Sequence, residues 1–294
     1  MIDKFTVDTE VKVSTCEAVV GMAVYKGDRV DWVQQAIESV LSQLYTDFVF
    51  AIVFDGEVGG EIESLVRDTL FKHRNVALIR SSENRGLSAC MNYVVEWSKR
   101  LAPLFFFRMD ADDIACENRL LVQTKFLKSN PSVSILGSAL DEINEQGNVV
   151  GQRKLPLSHE EIIKFLPKRC SLNHPTVGLR FSVFDAGFRY SEKLANTQDY
   201  FLWADLAAAG YKFTNLSEKL LKFRRVNNFY KRRGINKSIN EFKARWYTMK
   251  KLNQFTVANI MYACAVICLR MMPSQIIKIA YTFDRYLLEK IVKH

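Results

Sequence analysis

Three observations predict an α/β fold with a mainly parallel sheet flanked by helices. Apolar segments alternate four times between residues 17 and 130 with segments in which apolar residues recur at three- and four-residue spacing. The apolar segments carry apolar residues at nearly every position, as strands covered on both faces do. Strand and helix in regular alternation give parallel neighbours, because each helix returns the chain to the same edge of the sheet.

The individual elements follow from these periods and from the turn residues between them. Strands are predicted at 17–25, 48–54, 75–79 and 104–109, and helices at 28–44, 62–70, 87–97 and 117–130. After Pro131 the pattern loosens into a strand at 132–140, a hairpin arm at 149–154 and a helix opened by Ser158. A short helix near 181–186, a helix at 198–209 and short strands at 211–216 and 220–225 complete the prediction.

An acidic cluster ends the fourth strand. Asp110, Asp112 and Asp113 place three carboxylates within four positions, directly after an apolar and aromatic run. Carboxylates so close repel one another unless a cation neutralises them, and oxygen ligands favour hard ions such as Mg²⁺ or Mn²⁺. The alternative is that Asp112 or Asp113 caps the helix at 117–130, but one cap does not require three acids. The cluster therefore predicts a divalent-cation site.

Other strands also end in polar or aromatic side chains. Tyr25 ends the first strand, Asp55 follows the second, and the turn Asn84-Arg85-Gly86 follows the third. In a parallel sheet these ends meet at one crevice. These groups suit a nucleoside diphosphate: the ring can stack on the base, the carboxylate can accept an N–H of the base, and the guanidinium and a bound cation can neutralise the phosphates. Neither G-x-G-x-x-G after the first strand nor G-x-x-x-x-G-K-[ST] occurs, which argues against a dinucleotide cofactor and against a P-loop.

In this order, the motifs resemble the family 2 glycosyltransferases, inverting enzymes of the GT-A fold. The phrases that carry the resemblance are AIESVLSQLYTDF at 36–48, ENRGLSACMN at 83–92, the acidic cluster, and NTQDYFLWADLAAAGYKF at 196–213. The resemblance implies a GT-A domain at 16–226, with a nucleotide-binding half at 16–130 and an acceptor-binding half at 131–226. Residues 1–15 would be an N-terminal extension, and residues 227–294 a basic helical tail.

The resemblance implies roles on the nucleotide side of the crevice. Tyr25 would stack on uracil or line its pocket, and Asp55 would accept the N–H of the base. Arg85 would lie beside the base or the diphosphate. Asp110 would hold the ribose or a metal-bound water, and Asp112 would ligate Mn²⁺ or Mg²⁺ directly.

It also implies roles on the acceptor side. Asp199 would be the general base; the alternative is a helix cap, because an acid in the first turn gains from the helix dipole. A basic residue at or near Arg224 would close over the diphosphate. His174 would either line the acceptor site or pack behind it.

Positive charge is concentrated at the end of the chain. Residues 217–294 carry 17 Lys/Arg against 4 Asp/Glu, whereas the preceding residues carry 24 against 28. The tail predicts basic amphipathic helices at 237–252 and 274–292, and the uncharged run at 252–269 lies at the lower limit for a membrane span. Apolar residues among these charges favour a membrane surface over nucleic acid. Packing on the domain or on a second subunit, as a homodimer, is the alternative.

Together these features predict a metal-dependent inverting glycosyltransferase. Its expected donor is a UDP-hexose or UDP-N-acetylhexosamine, and its expected acceptor is a lipid-linked oligosaccharide in the synthesis of lipopolysaccharide O-antigen or capsule. Six scattered cysteines without a C-x-x-C pair, and an N-terminus without an apolar core, predict a cytoplasmic protein that is peripheral on the inner face of the plasma membrane. The alternatives are a sugar-nucleotide nucleotidyltransferase and a non-catalytic basic module that binds membrane or nucleic acid.

Overall fold

The computed structural model describes residues 4–194, 196–226 and 235–270. The strands are β1 (Phe5–Thr9), β2 (Ala18–Val24), β3 (Phe48–Phe54), β4 (Val76–Ser81), β5 (Phe105–Asp110), β6 (Ile114–Ala115), β7 (Val133–Ile143), β8 (Val149–Arg153), β9 (Gly178–Arg180) and β10 (Lys212–Arg224). The helices are α1 (Val30–Leu41), α2 (Gly60–Lys72), α3 (Leu87–Ser98), α4 (Arg119–Ser129), α5 (His159–Phe165), α6 (Ser182–Asp185), α7 (Gln198–Ala208), α8 (Ile235–Lys251) and α9 (Val257–Arg270). The predicted helix at 274–292 and the basic residues 231–233 lie outside the described residues.

One mixed sheet contains the ten strands of the described chain. Its order is β1-β4-β3-β2-β5-β9-β7-β10-β6, and β8 pairs with β7. The neighbours β4, β3, β2 and β5 are parallel, as the alternation of strand and helix predicts. Beyond β5, the short antiparallel β9 joins this parallel part to β7, and β10 runs parallel to β7.

The central strands are apolar because each contributes side chains to two cores. Phe107 and Met109 of β5 belong to the core that contains residues of α1 and α4, whereas Phe106 belongs to the core that contains residues of α3 and α7. Side chains alternate along a strand, so Arg108 and Asp110 project to the same face as Phe106. This register places a buried arginine and the first acid of the cluster on the face that carries α7.

Two strands depart from the sequence prediction. β1 lies within the predicted N-terminal extension and pairs antiparallel with β4 at the edge of the sheet. The prediction of two short strands at 211–216 and 220–225 is wrong, because the structure has one continuous strand there, β10. Its pairing with β7 shifts register between Leu216 and Lys219 and again between Lys219 and Lys222. These register shifts fall at the polar stretch between the two predicted strands, so this stretch is part of one irregular strand and does not separate two strands.

The helix α8 confirms the basic helix predicted at 237–252, and it packs on α7. The rings of Phe201 and Tyr247 lie 4.7 Å apart between centroids. The Tyr247 hydroxyl donates to Oδ1 of Asp205 at 2.7 Å, and Lys251 forms an ion pair with the same carboxylate at 2.9 Å. The start of the tail is therefore attached to the domain through α7.

The uncharged run at 252–269 is not one continuous helix. A turn that contains Asn253, with φ of 52°, separates α8 from α9. Among the helices of the described residues, none combines the length and the apolar character that crossing a membrane requires.

Candidate active site

The acidic cluster spans the last residue of β5 and the loop between β5 and β6. One carboxylate oxygen each of Asp110, Asp112 and Asp113 lies within 4.8 Å of the other two. Asp113 is fully buried; its Oδ1 accepts the backbone N–H of Arg224 at 2.9 Å. Its Oδ2 is buried without a hydrogen-bond partner among the described residues. Converging carboxylates with an unpartnered buried oxygen fit Mn²⁺ or Mg²⁺, which take oxygen ligands.

The negative charges of the cluster oppose one another. Burial, and next the charge of Asp110, raise the pKa of Asp112 to about 6. Burial and both neighbouring carboxylates raise the pKa of Asp113 well above its usual range. Burial and the charges of Asp112 and Asp110 also raise the pKa of Asp28 to about 7. The negative charges of these four carboxylates thus repel one another at this end of the sheet, and a bound cation would reduce that repulsion.

The turn after β2 holds Tyr25 beside this cluster. Oδ2 of Asp28 accepts the amide of Tyr25 at 2.9 Å, and the amide of Asp28 donates to the carbonyl of Tyr25 at 3.0 Å. The ring covers Gly27, where a Cβ atom would lie 2.6 Å from ring atoms. The Tyr25 side chain is 43% exposed, so a ring face is open to a planar ligand.

Asp55 is buried, and its carboxylate orders the turn before α3. Its Oδ1 accepts the amide of Arg85 at 2.6 Å, and its Oδ2 accepts the amide of Gly86 at 2.9 Å. These bonds satisfy backbone donors at the start of the helix. An ionised carboxylate can accept further donors, so the predicted contact with a base N–H stays a prediction.

The Arg85 side chain lies between two other segments. Its guanidinium is 3.8 Å from the carboxylate of Glu192 and 5.8 Å from the ring centroid of Phe5. The predicted position beside the base or the diphosphate stays a prediction.

Arg224 fastens the acidic loop to two other elements. Its Nε donates to the carbonyl of Asp112 at 2.9 Å. Its Nη2 donates to Oε1 of Gln35 at 2.7 Å, and its Nη1 donates to the carbonyls of the Asn144-Glu145 turn at 3.3 and 3.1 Å. The residue is 3% exposed. The guanidinium donors are directed at protein acceptors, and the predicted closure of a basic residue over the diphosphate stays a prediction.

Arg108 lies beneath the cluster and is buried. Its Nη2 forms an ion pair with Oδ1 of Asp110. Its charge lowers the pKa of Asp112 and Asp113 against the larger raising effect of burial. It acts in the same sense on Asp199, which lies on a different element. One buried cation therefore lies within electrostatic reach of both the acidic cluster and the predicted base.

Asp199 lies in the first turn of α7 and is partly exposed. The backbone amides of Tyr200 and of Asp199 itself lower the pKa of its carboxyl. The helix cap and the role of base both stay predictions. The Cys170 thiol donates to its Oδ2 at 3.8 Å. Burial raises the pKa of Asp199, although the amides, Arg108 and the thiol act in the opposite direction. The carboxylate thus remains an acceptor whose basicity is above that of an ordinary aspartate.

His174 packs near these groups. Its Nε2 lies 3.2 Å from the hydroxyl of Tyr190, and its ring centroid lies 6.0 Å from that of Trp203. Burial, and next the charge of Arg108, lower the pKa of His174 well below its usual value. The imidazole is therefore neutral near pH 7.

Comparison with known proteins identifies the family. The sequence profile described as Glycosyl transferase family 2 matches residues 20–188, more than half of the chain. This chain belongs to glycosyltransferase family 2. An uncharacterised glycosyltransferase of Haemophilus influenzae is 30% identical to the transferase over 270 residues, which cover 90% of this chain and 97% of that protein. The UDP-Gal:alpha-D-GlcNAc-diphosphoundecaprenol beta-1,3-galactosyltransferase of Escherichia coli is 28% identical over 228 residues, covering 77% and 81% of the two chains.

Solved structures show the fold. The Staphylococcus aureus protein TarS in complex with UDP aligns with a TM-score of 0.59 at 14% identity, over 86% of this chain and 71% of that chain. The mannosyltransferase PcManGT of Pyrobaculum calidifontis, in complex with GDP-Man and Mn²⁺, aligns with a TM-score of 0.53 at 12% identity, over 98% and 85%. The transferase therefore has the GT-A fold, as the sequence predicts.

The geometry also adds two residues that the sequence analysis did not assign to the site. Arg108 is a charged residue inside an apolar strand. Because a buried charge requires a partner, its presence there could have indicated a nearby carboxylate from the sequence alone. Asp28 gives no such signal, because Lys26-Gly27-Asp28 has the composition of an ordinary turn.

Proposed function

We propose that this transferase moves a hexosyl residue, with inversion, from a UDP-sugar to a hydroxyl of a lipid-linked oligosaccharide in bacterial cell-surface polysaccharide synthesis. The observation that carries the proposal is the convergence of the carboxylates of Asp110, Asp112 and Asp113 within 4.8 Å of one another after β5. Direct displacement requires a site that stabilises the leaving group and a separate proton acceptor. The relative named for UDP-Gal and a diphosphoundecaprenol acceptor supports this choice of donor and acceptor.

On the donor side, the chain would supply the binding groups. Asp112, with Asp110 and Asp113, would hold Mn²⁺ or Mg²⁺, which supplies stabilisation of negative charge on the departing diphosphate. The exposed ring of Tyr25 would stack on the uracil, and Asp55 would accept a base N–H with a remaining lone pair.

On the acceptor side, Asp199 would act as the general base. The acceptor oxygen bonds to the anomeric carbon as the bond from that carbon to the diphosphate breaks, and the hydroxyl proton passes to a carboxylate oxygen of Asp199. Attack on the face opposite the diphosphate inverts the configuration. His174, neutral and bonded to Tyr190, would form the wall behind this acceptor.

The described part of the tail supports association with the inner face of the membrane. Lys243 and Lys250 are exposed on α8. α8, α9 and the turn between them also carry exposed aromatic and apolar side chains: Trp246, Phe255, Val257 and Met261. Such a mixture favours an anionic lipid surface. Because α8 packs on α7, this association would hold Asp199 close to a lipid-linked acceptor.

The test is a donor screen by UDP release, with each of four UDP-sugars, a lipid-linked saccharide acceptor, and Mn²⁺ present or removed by chelation. With the productive donor, Asp199→Asn should lower kcat by about 10²- to 10⁴-fold and leave the Mn²⁺-dependent binding of UDP unchanged. Asp205→Asn on the same helix is the matched control, because Asp205 pairs with Tyr247 and Lys251. Full transfer by Asp199→Asn would exclude it as the base.

A further inference from the structure

Two loop segments border Asp199, and both are bonded to α8. The first segment, 166–172, follows α5, and its Cys170 thiol donates to Oδ2 of Asp199 at 3.8 Å. The second segment, 196–197, directly precedes α7 and therefore sets where the first turn of that helix begins. α8 itself lies beyond the residues that the family profile matches and within the predicted tail, so neither the profile nor the sequence assigns it to the site.

The segment before α7 has a backbone conformation that few side chains adopt. Thr197 has a φ of 63°, in the left-handed region that disfavours a β-branched residue. Such a conformation persists only where neighbouring groups hold it. One of these groups lies on α8: Nδ2 of Asn240 donates to Oδ1 of Asn196 at 3.1 Å. Because Asp199 comes two residues after Thr197, this hydrogen bond fixes the start of the helix that carries the carboxylate.

Arg245 of α8 holds the other segment. The residue is 5% exposed, and its Nε donates to the carbonyl of Lys168 at 2.6 Å. Its Nη2 lies 3.4 Å from the carboxylate of Glu241 on the same helix, which orients the guanidinium. A charged donor makes a strong hydrogen bond to a carbonyl. Cys170 comes two residues after Lys168, so this bond fixes the backbone that presents the thiol to Asp199.

A third contact of α8 supplies a comparison. The Tyr247 hydroxyl donates to Asp205, which lies six positions after Asp199. Six residues correspond to a rise of about 9 Å along a helix. The Tyr247 ring packs on Phe201, and Tyr247→Phe keeps that ring and removes only the hydroxyl. This substitution therefore weakens the attachment of α8 without removing a bond to either segment that borders Asp199.

We propose that Asn240 and Arg245 are positioning residues of the transfer reaction, which fix from α8 the two segments that border Asp199 and so hold its carboxylate in place to accept the proton. This inference rests on the proposed function, because it gives Asp199 the role of base. The catalytic unit then extends beyond the predicted GT-A domain. The helix that exposes Lys243 and Trp246 on one side orders the base from its other side.

The first test compares kcat with KM for the productive donor. A misplacement of about 1 Å can lower a rate about 10²-fold, so Asn240→Ala and Arg245→Met should each lower kcat by about 10- to 100-fold. KM for the UDP-sugar should stay unchanged, because the donor side of the crevice keeps its groups. Tyr247→Phe, the matched control, should lower Tm and keep kcat. Each kcat is expressed per UDP-binding site counted by calorimetry with Mn²⁺, so that a smaller folded fraction does not lower it.

A double-mutant cycle tests whether Asn240 acts through Asn196. Asn196→Ala removes the other partner of the same hydrogen bond, so it should lower kcat as much as Asn240→Ala does. The double variant should lose no further activity, because the bond is already absent in each single variant. Additive losses would mean that the two side chains act separately, and they would overturn the role given to Asn240.

The second test is amide hydrogen exchange, which requires no turnover. The amide of Phe201 donates to the carbonyl of Thr197 at 3.2 Å, and that of Arg169 donates to the carbonyl of Phe165 at 3.1 Å. Loss of one supporting hydrogen bond should speed exchange by about tenfold through local opening. Asn240→Ala should do so at Phe201 and Arg245→Met at Arg169, whereas Tyr247→Phe should change neither.

An unchanged kcat in either folded variant would overturn the role of that residue. An equal loss of kcat in Tyr247→Phe would overturn the inference as a whole, because the effect would then follow from the packing of α8 in general. If Arg245→Met does not fold, Asn240→Ala decides, since its side chain is partly exposed. If no UDP-sugar is turned over, the proposed function fails, and hydrogen exchange still decides: unchanged exchange at Phe201 in Asn240→Ala overturns the inference.

Discussion

Arg224→Met removes the guanidinium that fastens the acidic loop and that lies over the Trp32 ring, and it leaves an apolar side chain in its place. Arg224 donates to Asp112, to Gln35 and to the Asn144-Glu145 turn. Each hydrogen bond from a charged donor contributes about 1.5–3 kcal/mol, and the sum is smaller because the acceptors gain water in the variant. We expect the free energy of unfolding to fall by about 3 kcal/mol, which corresponds to roughly 6–12 °C in Tm for a chain of this size.

The assay is thermal unfolding, combined with KM for the UDP-sugar. Arg29→Met is the matched control, because Arg29 stacks on the same Trp32 ring at 4.3 Å but is exposed, and it should leave Tm unchanged. Mn²⁺ with UDP should still raise the Tm of Arg224→Met, but at a higher Mn²⁺ concentration than the parent requires. The carboxylate ligands remain in this variant, whereas the loop that carries them is less ordered. If Tm were unchanged and KM rose sharply, Arg224 would contact the diphosphate directly, as the sequence predicts, and our account would be refuted.

Three further predictions concern the cation site and the sheet. Asp112→Asn should abolish the Mn²⁺-dependent part of the Tm increase caused by UDP, measured against the same variant with chelator. In the parent, the pKa of Asp112 is about 6 and that of Asp28 is about 7, both above the ordinary value for aspartate. The folded protein therefore holds these two protons at pH values at which the unfolded chain has lost them. Their contribution to the free energy of unfolding is lost as pH rises through about 6 and 7. Mn²⁺ must displace those protons, so its affinity should increase up to about pH 7 by calorimetry, and a flat profile would contradict the assignment. Gly178→Ala should lower the free energy of unfolding by about 1–3 kcal/mol in urea, because its Cβ would lie 2.4 Å from the Phe107 ring; an unchanged midpoint would count against that contact.

The parallel half of the sheet could be predicted because its signals are local. Each strand from β2 to β5 is a continuous apolar run, and each end carries polar or aromatic residues. The sequence therefore predicts that the acidic cluster and Tyr25 lie at one crevice. Sheet order beyond β5 depends on pairing between distant segments, and the sequence offers no local signal for β9 between β5 and β7.

The individual roles were harder to predict because they depend on which donor reaches which acceptor. For Asp55, the sequence predicts a place at the nucleotide-binding edge but not the backbone amides of Arg85 and Gly86 that its two oxygens accept. For Arg224, the sequence does not predict the hydrogen bonds to the carbonyls of Asp112 and Glu145. Helical or strand periodicity gives the face of a residue but not the partner at the end of a long side chain.

The position of Trp32 gives this protein an optical reporter. Two guanidinium groups contact its indole: the guanidinium carbon of Arg29 lies 4.3 Å from the ring centroid, and that of Arg224 lies 5.1 Å from it. Since Arg224 is bonded to the loop that carries Asp112, any rearrangement of that loop changes the electric field at the indole and hence its emission. Trp246, exposed on α8, is a second chromophore whose emission moves to shorter wavelengths on transfer from water to lipid. Single-tryptophan variants would therefore let fluorescence follow nucleotide loading and surface attachment separately, in unlabelled protein.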